Sequence, residues 1–338
     1  TPTRNGYEFV GWTGERITMP QTSVKIPKGS TGNKAYTANW KVIQYTIITL
    51  LEGGNAGSSG AYVYTVEETF TLPTPTRTGY TFFGWTGEGI TTPQPNVTIP
   101  KGSTGDKTYI ENWVETGYTI TLDLNGGSGK EKVIYTMTDE DFELPTPTRN
   151  GYEFVGWTGE RITTPQTRVK IPKGSTGNKA YTANWKVIRY TITLVTNGGA
   201  VIASIRYTVE DSVTLPIPPE RPGYEFAGWV LDGSGQFPST PMIIPEGSTG
   251  DRIYEAEWRV ATYTITYVSH GKAYNWVQYT INNQIYFGLP EEDPSYYLPG
   301  YTFVGWKIDG VEGTPRSYML PKGSYGNRTA TMLWEPIP

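Results

Sequence analysis

Apolar and polar residues alternate over short stretches of this chain, with a period of two residues. In residues 118–124, Tyr, Ile, Leu and Leu are separated by Thr, Thr and Asp. This alternation predicts a strand with one buried face. The sequence Asn-Gly-Gly at 125–127 offers backbone positions that tolerate positive φ, and a second apolar run follows at 133–135. The two runs therefore predict a β-hairpin.

Three further short strands are predicted downstream, at 151–157, 169–171 and 180–185. The Leu-Pro-Thr-Pro segment at 144–147 is predicted to be an extended connector, because proline is excluded from central strands and helix interiors. The only stretch with room for a helix lies around 138–143, and it allows one helical turn or a short helix. The predicted fold class is mainly β.

The same pattern recurs along the chain as internal repeats. The motif Gly-Tyr-x-Phe-x-Gly-Trp occurs five times, at intervals of 73, 72, 72 and 77 residues, and a Pro-Lys/Glu-Gly-Ser-Thr/Tyr-Gly loop follows each copy. A second tryptophan closes each copy, so ten of the eleven tryptophans occupy two repeat positions. The first tryptophans are Trp12, Trp85, Trp157, Trp229 and Trp306, and the closing ones are Trp40, Trp113, Trp185, Trp258 and Trp334.

Tyr-Thr-Ile openings divide the chain into repeats 45–117, 118–189, 190–262 and a divergent terminal repeat 263–338, preceded by a partial repeat, 1–44. Residues 1–43 match 146–188 at every position except two, so 1–44 corresponds to the C-terminal half of a repeat. We expect the chain to begin within a repeat, as a piece of a longer product. Only four residues separate a closing tryptophan from the next opening tyrosine. Such short links predict a tandem array that forms a stiff, elongated rod, and we expect a monomer.

Composition and charge exclude several classes of function. The chain has no cysteine and one histidine, which excludes disulfides, thiolate metal sites and cysteine nucleophiles. Its net charge of −4 argues against nucleic acid binding. No run approaches the 18 or so apolar residues of a membrane helix, so no membrane insertion is expected. The net charges of the five segments are +4, −4, +2, −5 and −1, which does not suit one charged ligand bound by every repeat.

The ordered motifs resemble a known family. Asn-Gly-Gly after a hairpin strand, Leu-Pro-x-Pro-x-Arg, Gly-Tyr-x-Phe-x-Gly-Trp and the closing Tyr-x-Ala-x-Trp are similar to the Listeria–Bacteroides repeat, the B-repeat type of internalin-like surface proteins. The resemblance implies a β-grasp-like fold, export, attachment to a Gram-positive-type cell wall, and a role as spacer or adhesive module without enzymatic activity. Two departures are a longer loop before the closing tryptophan and Ser-His-Gly at 269–271 in place of Asn-Gly-Gly.

Few residues of this sequence suggest a catalytic, metal-binding or sugar-binding site. The acidic runs at 139–141 and 291–293 lack the spacing of a calcium loop or of facing glycosidase carboxylates, and we interpret them as solvated turns. The repeated aromatics could stack on sugars, but their fixed spacing in predicted strands favours a core role. His270 is interpreted as a turn residue. We therefore predict no enzyme, no cofactor and no metal.

The terminal repeat carries aromatic residues without counterparts in the other copies: Tyr274, Trp276, Tyr296 and Tyr297. They are interpreted first as an altered repeat that caps the array. If one surface of the chain binds a partner, these residues predict where it lies, since tyrosine and tryptophan are enriched at interfaces; the alternative location is a groove between repeats. The expected partner is a host extracellular protein, such as a matrix component or an immunoglobulin, or a glycan. The alternative function is a carbohydrate-binding accessory module of a surface glycosidase.

Solution scattering tests the predicted rod. A single globule of 338 residues would have a radius of gyration of about 20 Å. We expect a clearly larger radius and a pair-distance distribution with a long tail. A radius near the globular value would contradict the rod.

Overall fold

The computed structural model describes residues 1–53, 60–288 and 298–338, and within these ranges it contains strands and turns but no helix. The mainly β prediction is therefore confirmed. The chain divides into two compact units, one formed by 1–147 with 154–184 and the other by 148–153 with 185–338.

The strands alternate with turns along the whole described chain. In residues 1–117 they are β1 (Tyr7–Gly14), β2 (Ile17–Gln21), β3 (Thr37–Val42), β4 (Tyr45–Leu50), β5 (Ala61–Tyr64), β6 (Phe70–Thr71), β7 (Tyr80–Gly87), β8 (Ile90–Gln94), β9 (Thr98–Ile99) and β10 (Lys107–Glu115). In residues 118–189 they are β11 (Tyr118–Asp123), β12 (Lys132–Tyr135), β13 (Phe142–Glu143), β14 (Tyr152–Gly159), β15 (Ile162–Gln166), β16 (Lys170–Ile171) and β17 (Lys179–Val187). In residues 190–338 they are β18 (Tyr190–Val195), β19 (Ile205–Tyr207), β20 (Val213–Thr214), β21 (Tyr224–Leu231), β22 (Ile243–Ile244), β23 (Arg252–Val260), β24 (Tyr263–Ser269), β25 (Lys272–Tyr279), β26 (Ile285–Phe287), β27 (Tyr301–Ile308), β28 (Tyr318–Leu320) and β29 (Arg328–Pro336).

Each complete repeat of the first compact unit forms one mixed five-stranded sheet. The strand orders are β5-β4-β10-β7-β8 and β12-β11-β17-β14-β15. The first strand of the repeat is antiparallel to its hairpin partner but parallel to the last strand, as β4 is to β10 and β11 to β17. A separate two-stranded sheet, β6-β9 or β13-β16, completes each repeat. Residues 1–44 form only a three-stranded sheet, β2-β1-β3.

The second compact unit repeats this topology with one strand fewer in each mixed sheet. The orders are β19-β18-β23-β21 and β25-β24-β29-β27, with the two-stranded sheets β20-β22 and β26-β28. In repeat 190–262 a single bridge between Trp229 and Ser239 stands where β8 and β15 pair in the first unit. The first and last strands are again parallel and central, an arrangement compatible with the expected β-grasp-like sheet.

Each complete repeat has its own hydrophobic core, built from the inward positions of the mixed sheet and covered by the two-stranded sheet. In repeat 190–262 the fully buried residues include Ile192 from the first strand, Tyr207 from the hairpin, Trp229, and Ile244 from the small sheet. The first tryptophan packs edge-on against the phenylalanine three residues before it, as Phe226 and Trp229 do at 5.5 Å between ring centroids. Such pairs stabilise a fold by about 0.5–1.5 kcal/mol beyond their buried area.

The glycine before the first tryptophan is required by a close approach of two strands. Gly156 has φ +142°, and a Cβ there would lie 2.5 Å from backbone atoms of Gln166 on the adjacent strand β15. Gly84 and Gly228 make the same close approach to Gln94 and Ser239. The Gly-Trp pair therefore encodes a local strand geometry as well as a buried aromatic.

Most predicted elements of repeat 118–189 are present, with two differences. The β-hairpin and the strands at 152–159, 170–171 and 179–187 match the prediction, but β15 was not predicted, because its Pro and Gln interrupt the alternation. The stretch with room for a helix forms a turn instead. There the amide of Thr136 donates to the Asp139 carboxylate at 2.8 Å, and the chain then enters β13.

The glycine requirement can be tested by a matched pair of substitutions. Gly156→Ala should destabilise repeat 118–189 by more than about 2 kcal/mol, because backbone strain adds to a backbone clash. Gly174 also has a positive φ, +84°, but a Cβ there meets nothing within 4 Å, so Gly174→Ala should cost only about 1 kcal/mol. Amide hydrogen exchange of β15 in the full chain measures both; equal effects of the two substitutions would contradict the close-approach argument.

Candidate functional site

Successive repeats meet at a contact made by the glycine of the Gly-Tyr pair. In the first compact unit a Cβ on Gly6 would lie 2.0 Å from Val66, and one on Gly79 would lie 1.9 Å from Met137. In the second compact unit, Gly223 stands equally close to Ile281, with 2.2 Å to its side chain. In each case the apolar side chain belongs to the turn that follows the hairpin of the next repeat. The contact leaves no room for any side chain larger than hydrogen.

The tyrosine beside this glycine adds a polar bond to the same contact. The hydroxyl of Tyr7 donates to the Glu67 carboxylate at 2.6 Å, and that of Tyr152 donates to Glu210 at 2.5 Å. Each bond to a carboxylate raises the pKa of the tyrosine hydroxyl above its ordinary value, and partial burial adds to the effect. The hydroxyls therefore stay protonated through the physiological range.

An arginine covers the outer face of this tyrosine in four copies. The guanidinium of Arg4 lies 3.6 Å from the ring centroid of Tyr7, and three further Arg-Tyr pairs lie at 3.8 to 3.9 Å. Such cation–π contacts stabilise by about 0.5–1 kcal/mol at exposed sites. The terminal repeat has Leu298 at this position, and Tyr301 is 39% exposed.

The repeated tryptophans are core residues, as expected. The first tryptophans of the complete repeats are 0–4% exposed, and the closing tryptophans are half-buried. In repeat 45–117 both Trp85 and Trp113 pack edge-on against Phe82 at 5.3 and 5.4 Å. The rings of Trp85, Trp113 and Phe82 therefore pack on one another.

Two of the predicted binding residues, Tyr274 and Trp276, have different environments in the structure. Both lie on β25, where a β-bulge opposite Tyr267 and Val268 interrupts the alternation. Tyr274 is half-buried against the core of the terminal repeat, and its hydroxyl lies 3.8 Å from the sulfur of Met332. Trp276 is 64% exposed. Tyr296 and Tyr297 lie outside the described residues.

The described part of the terminal repeat presents more exposed aromatics than Trp276. Tyr286, Tyr301 and Tyr325 are 58%, 39% and 52% exposed, whereas the described remainder of the chain has only Phe83 and Phe237 of comparable exposure. Tyr286 lies on β26, opposite the half-exposed Met319 of β28. Tyr325 was missed by sequence reasoning, although its signal is plain: it stands in the loop where other copies have threonine.

The single histidine lies at a turn beside a closing tryptophan. His270 and Gly271 connect β24 to β25 and have φ values of +51° and +72°. The imidazole stacks at 18° on Trp334, with 6.1 Å between ring centroids. Together with Tyr301 and Met332, these side chains line a shallow groove. The turn role expected for His270 is confirmed.

The carboxylates that sequence analysis considered have structural partners. Glu140 and Asp141 pair with Lys173 and Lys170, each at 2.6 Å. The second acidic run, 291–293, lies outside the described residues. Over 1–53, 60–288 and 298–338, no group of three or more carboxylate or histidine side chains is placed to hold a metal ion.

Comparison with known families agrees with these features. The sequence profile of the Listeria-Bacteroides repeat domain matches residues 45–109, 118–184, 190–249 and 263–322, and that of the divergent InlB B-repeat domain matches residues 1–44. The chain belongs to the Listeria–Bacteroides repeat family. The resemblance inferred from the motifs is thereby confirmed, together with the tandem repeat organisation.

The chain is similar to part of each of three longer proteins. One, named as a Gly-rich membrane protein of Evansella cellulosilytica, is 26% identical over 90% of this chain and 36% of its own length. A second membrane protein of that organism is 25% identical over 80% of this chain and 40% of its length. Internalin H of Listeria monocytogenes is 34% identical over 25% of this chain and 15% of its length. The array thus spans well under half of each relative.

Within the described residues, no helix has the length and apolar character needed to cross a membrane.

The contrast between Tyr274 and Trp276 can be tested directly. Trp276→Ala should change the stability of the terminal repeat by less than about 0.5 kcal/mol, because its ring is mostly in solvent. Tyr274→Ala should lower it by about 1–3 kcal/mol, because it removes a ring packed against the core. Denaturant unfolding followed by hydrogen exchange in β24 and β29 measures both effects. A larger loss for Trp276→Ala than for Tyr274→Ala would contradict the assignment of these residues to surface and core.

Proposed function

We propose that this chain is a non-enzymatic repeat region of a bacterial cell-surface protein, which acts as a stalk and adhesin toward a host extracellular protein. The observation that supports it most is the repeated contact between neighbouring repeats. It combines a glycine without room for a side chain, a tyrosine and an arginine. A contact of this kind specifies how a repeat is joined to the next one, which is what a spacer requires.

The surface around this repeated contact varies from repeat to repeat, as a spacer allows. The five segments carry net charges of +4, −4, +2, −5 and −1, while their buried aromatics stay in place. Family membership and the relatives named as membrane proteins and as an internalin support a place outside the cell, attached to its wall. The Gram-positive origin and the export are part of this proposal.

The terminal repeat is the proposed adhesive part. Exposed tyrosine and tryptophan give large contact areas at small conformational cost, and they dominate many protein interfaces. Trp276, Tyr286, Tyr301 and Tyr325 concentrate such residues in this repeat. The predicted residues Tyr296 and Tyr297 belong to the same repeat and remain part of the proposed surface. Tyr274 contributes by supporting the strand that carries Trp276.

A carbohydrate-binding accessory module of a surface glycosidase is the second candidate. The groove beside Trp334, His270 and Tyr301 favours it, because aromatic side chains along an open groove suit the apolar faces of sugar rings. The two candidates differ in the residues on which binding depends. Protein binding should depend on Trp276, and glycan binding on Trp334 and Tyr301.

Surface plasmon resonance against purified matrix proteins and immunoglobulins tests the adhesin, with a glycan array run on the same preparation. We expect saturable binding to at least one protein, weakened by Trp276→Ala more than about tenfold, since interface tryptophans are frequent hot spots. The matched control is Phe237→Ala, at a 93% exposed aromatic in repeat 190–262, which should bind like the unmodified chain.

The other outcomes decide between the remaining functions. Glycan binding that is lost on Tyr301→Ala and kept on Trp276→Ala would favour the carbohydrate module. No binding on either surface would reject adhesion and leave the spacer role.

A further inference from the structure

The dipeptide Asn-Gly occurs four times in this sequence, at 5–6, 125–126, 150–151 and 197–198. Asparagine is a thermolabile residue, and it deamidates most readily before glycine, because glycine has no side chain to hinder attack by its amide nitrogen on the asparagine side chain. The four copies have different surroundings in the structure. Two lie in hairpin turns, and two lie where neighbouring repeats touch.

The two copies in hairpin turns have their side-chain amides bound. The Nδ2 atom of Asn125 donates to the carbonyl of Ala183 at 3.2 Å, and that of Asn197 donates to the carbonyl of Ala256 at 3.1 Å. In both cases the acceptor lies on the last strand of the same repeat. The bond restricts rotation of the asparagine side chain toward the amide nitrogen of the next residue.

The other two copies lie in the turns that carry the contact between repeats. The amide of Tyr152 donates to the carbonyl of Arg149 at 3.1 Å, which closes a four-residue turn with Asn150 and Gly151 at its centre. Residues 4–7 form the same turn; we call the two the joint turns. Both of their asparagine side chains are exposed, and neither makes a hydrogen bond to a described residue.

The equivalent turns at the other two contacts lack the group that reacts. They read Arg-Thr-Gly-Tyr at 77–80 and Arg-Pro-Gly-Tyr at 221–224. Threonine and proline fit the same turn, and proline at its second position presets the backbone angle, but neither carries a side-chain amide. Asparagine is therefore not needed to form the turn, and it adds a reactivity that the geometry does not require.

We propose that Asn5 and Asn150 are sites of spontaneous deamidation, and that the reaction loosens the two contacts beside them. The amide nitrogen of the following glycine attacks the side-chain Cγ atom and forms a new C–N bond. The side-chain nitrogen takes the proton of the glycine amide and leaves as ammonia. Water then opens the cyclic imide at either carbonyl, which gives aspartate or isoaspartate. In total, one amide and one water become one carboxylate and one ammonium ion.

The products do not fit the contact that the glycine makes. A Cβ atom on Gly151 would lie 2.4 Å from Val209, so the backbone there has no room to shift toward its neighbour. Isoaspartate lengthens the backbone by one methylene immediately before this glycine. At the other joint turn, Asn5 lines an open pocket with Glu67, so both products also add a negative charge near the carboxylate that accepts the Tyr7 hydroxyl.

The reaction also prevents the contact from forming again. Ring closure bends the backbone between Asn150 and Gly151, which the packed contact with Val209 opposes. Deamidation therefore starts from a contact that has opened transiently, as local parts of folded proteins do. The altered backbone then no longer fits the closed contact. Over time the two joint turns accumulate a loosened form, while the turns at 77–80 and 221–224 stay as they are.

Ageing the full 338-residue chain at body temperature and neutral pH, followed by peptide mapping with mass spectrometry, tests the reactivity. We expect Asn5 and Asn150 to react more than about threefold faster than Asn125 and Asn197, because each hairpin amide must first give up a hydrogen bond. The same measurement in urea gives the four intrinsic rates. A folded chain in which the ratio of rates is the same as in urea, or is reversed, would overturn the proposal.

Hydrogen exchange of the aged chain measures the loosening. The amide of Ile188 donates to the carbonyl of Gly151 at 2.9 Å, and that of Ile43 makes the same bond to Gly6. Both amides should exchange more than about fivefold faster after deamidation, because a strained backbone destabilises the contact. Unchanged exchange of Ile43 and Ile188 in the deamidated chain would overturn the proposed loosening.

Two controls separate this effect from general ageing. Within the same chain, the amide of Thr116 donates to the carbonyl of Gly79 at 2.9 Å in the contact that has threonine in its turn, and its exchange should stay constant. The matched variant carries Asn5→Thr and Asn150→Thr, which copy Thr78 of that turn. Its exchange rates should not change on ageing. Equal acceleration in the variant and the unmodified chain would overturn the proposal.

Discussion

The first and last strands of each complete repeat lie parallel at the centre of its sheet, and the rest of the repeat depends on that pairing. In repeat 118–189 it joins residues 120–123 to 179–182, about sixty residues away in sequence. Parallel strands need a long crossover, and here the crossover contains the hairpin return, the small sheet and the Gly-Trp strand. In repeat 190–262 the same closure brings the equivalent residues, Trp229 and Tyr207, into one core.

The hairpin that pairs with the first strand also anchors the Pro-Lys/Glu-Gly-Ser-Thr/Tyr-Gly loop that recurs along this chain. The buried tyrosine at the end of the hairpin donates to the carbonyl of the second loop glycine, as Tyr64 does to Gly105 and Tyr207 to Gly250, at 2.7 and 2.6 Å. The first loop glycine donates its amide to the turn after the hairpin, as Gly102 does to Val66 at 2.9 Å. That turn also receives the preceding repeat. Repeat closure and repeat joining therefore use the same residues.

Because the same few residues close a repeat and join it to the next one, the rest of the surface can vary between repeats. The residues that hold a repeat together are mainly glycines, aromatics and backbone groups, and the joint to the next repeat uses only a few charged side chains, such as Arg4 and Glu67. Net charge can change sign between segments without disturbing them. The terminal repeat departs furthest from this scheme. Leu298 replaces the arginine that covers the tyrosine, and Gly300 would meet nothing described within 4 Å of a Cβ.

The sequence by itself determined the fold class, the repeat organisation and the core aromatics. These features follow from local signals: a period of two, positive-φ turn residues, and tryptophans at fixed spacing, of which Trp85 and Trp229 are fully buried. The family could be inferred from the same motifs. Repeat boundaries from the Tyr-Thr-Ile openings and the elongated shape remain predictions from the sequence.

Only the tertiary structure decided which aromatics are exposed and how successive repeats touch. Period-two reasoning puts Tyr274 and Trp276 on one face, but a bulge on β25 turns one toward the core and leaves the other in solvent. The parallel pairing of β11 with β17 and the contact of Gly6 with Val66 both join residues far apart in sequence. Their energies depend on packing and on backbone partners brought together by folding. A local pattern contains no information about those partners.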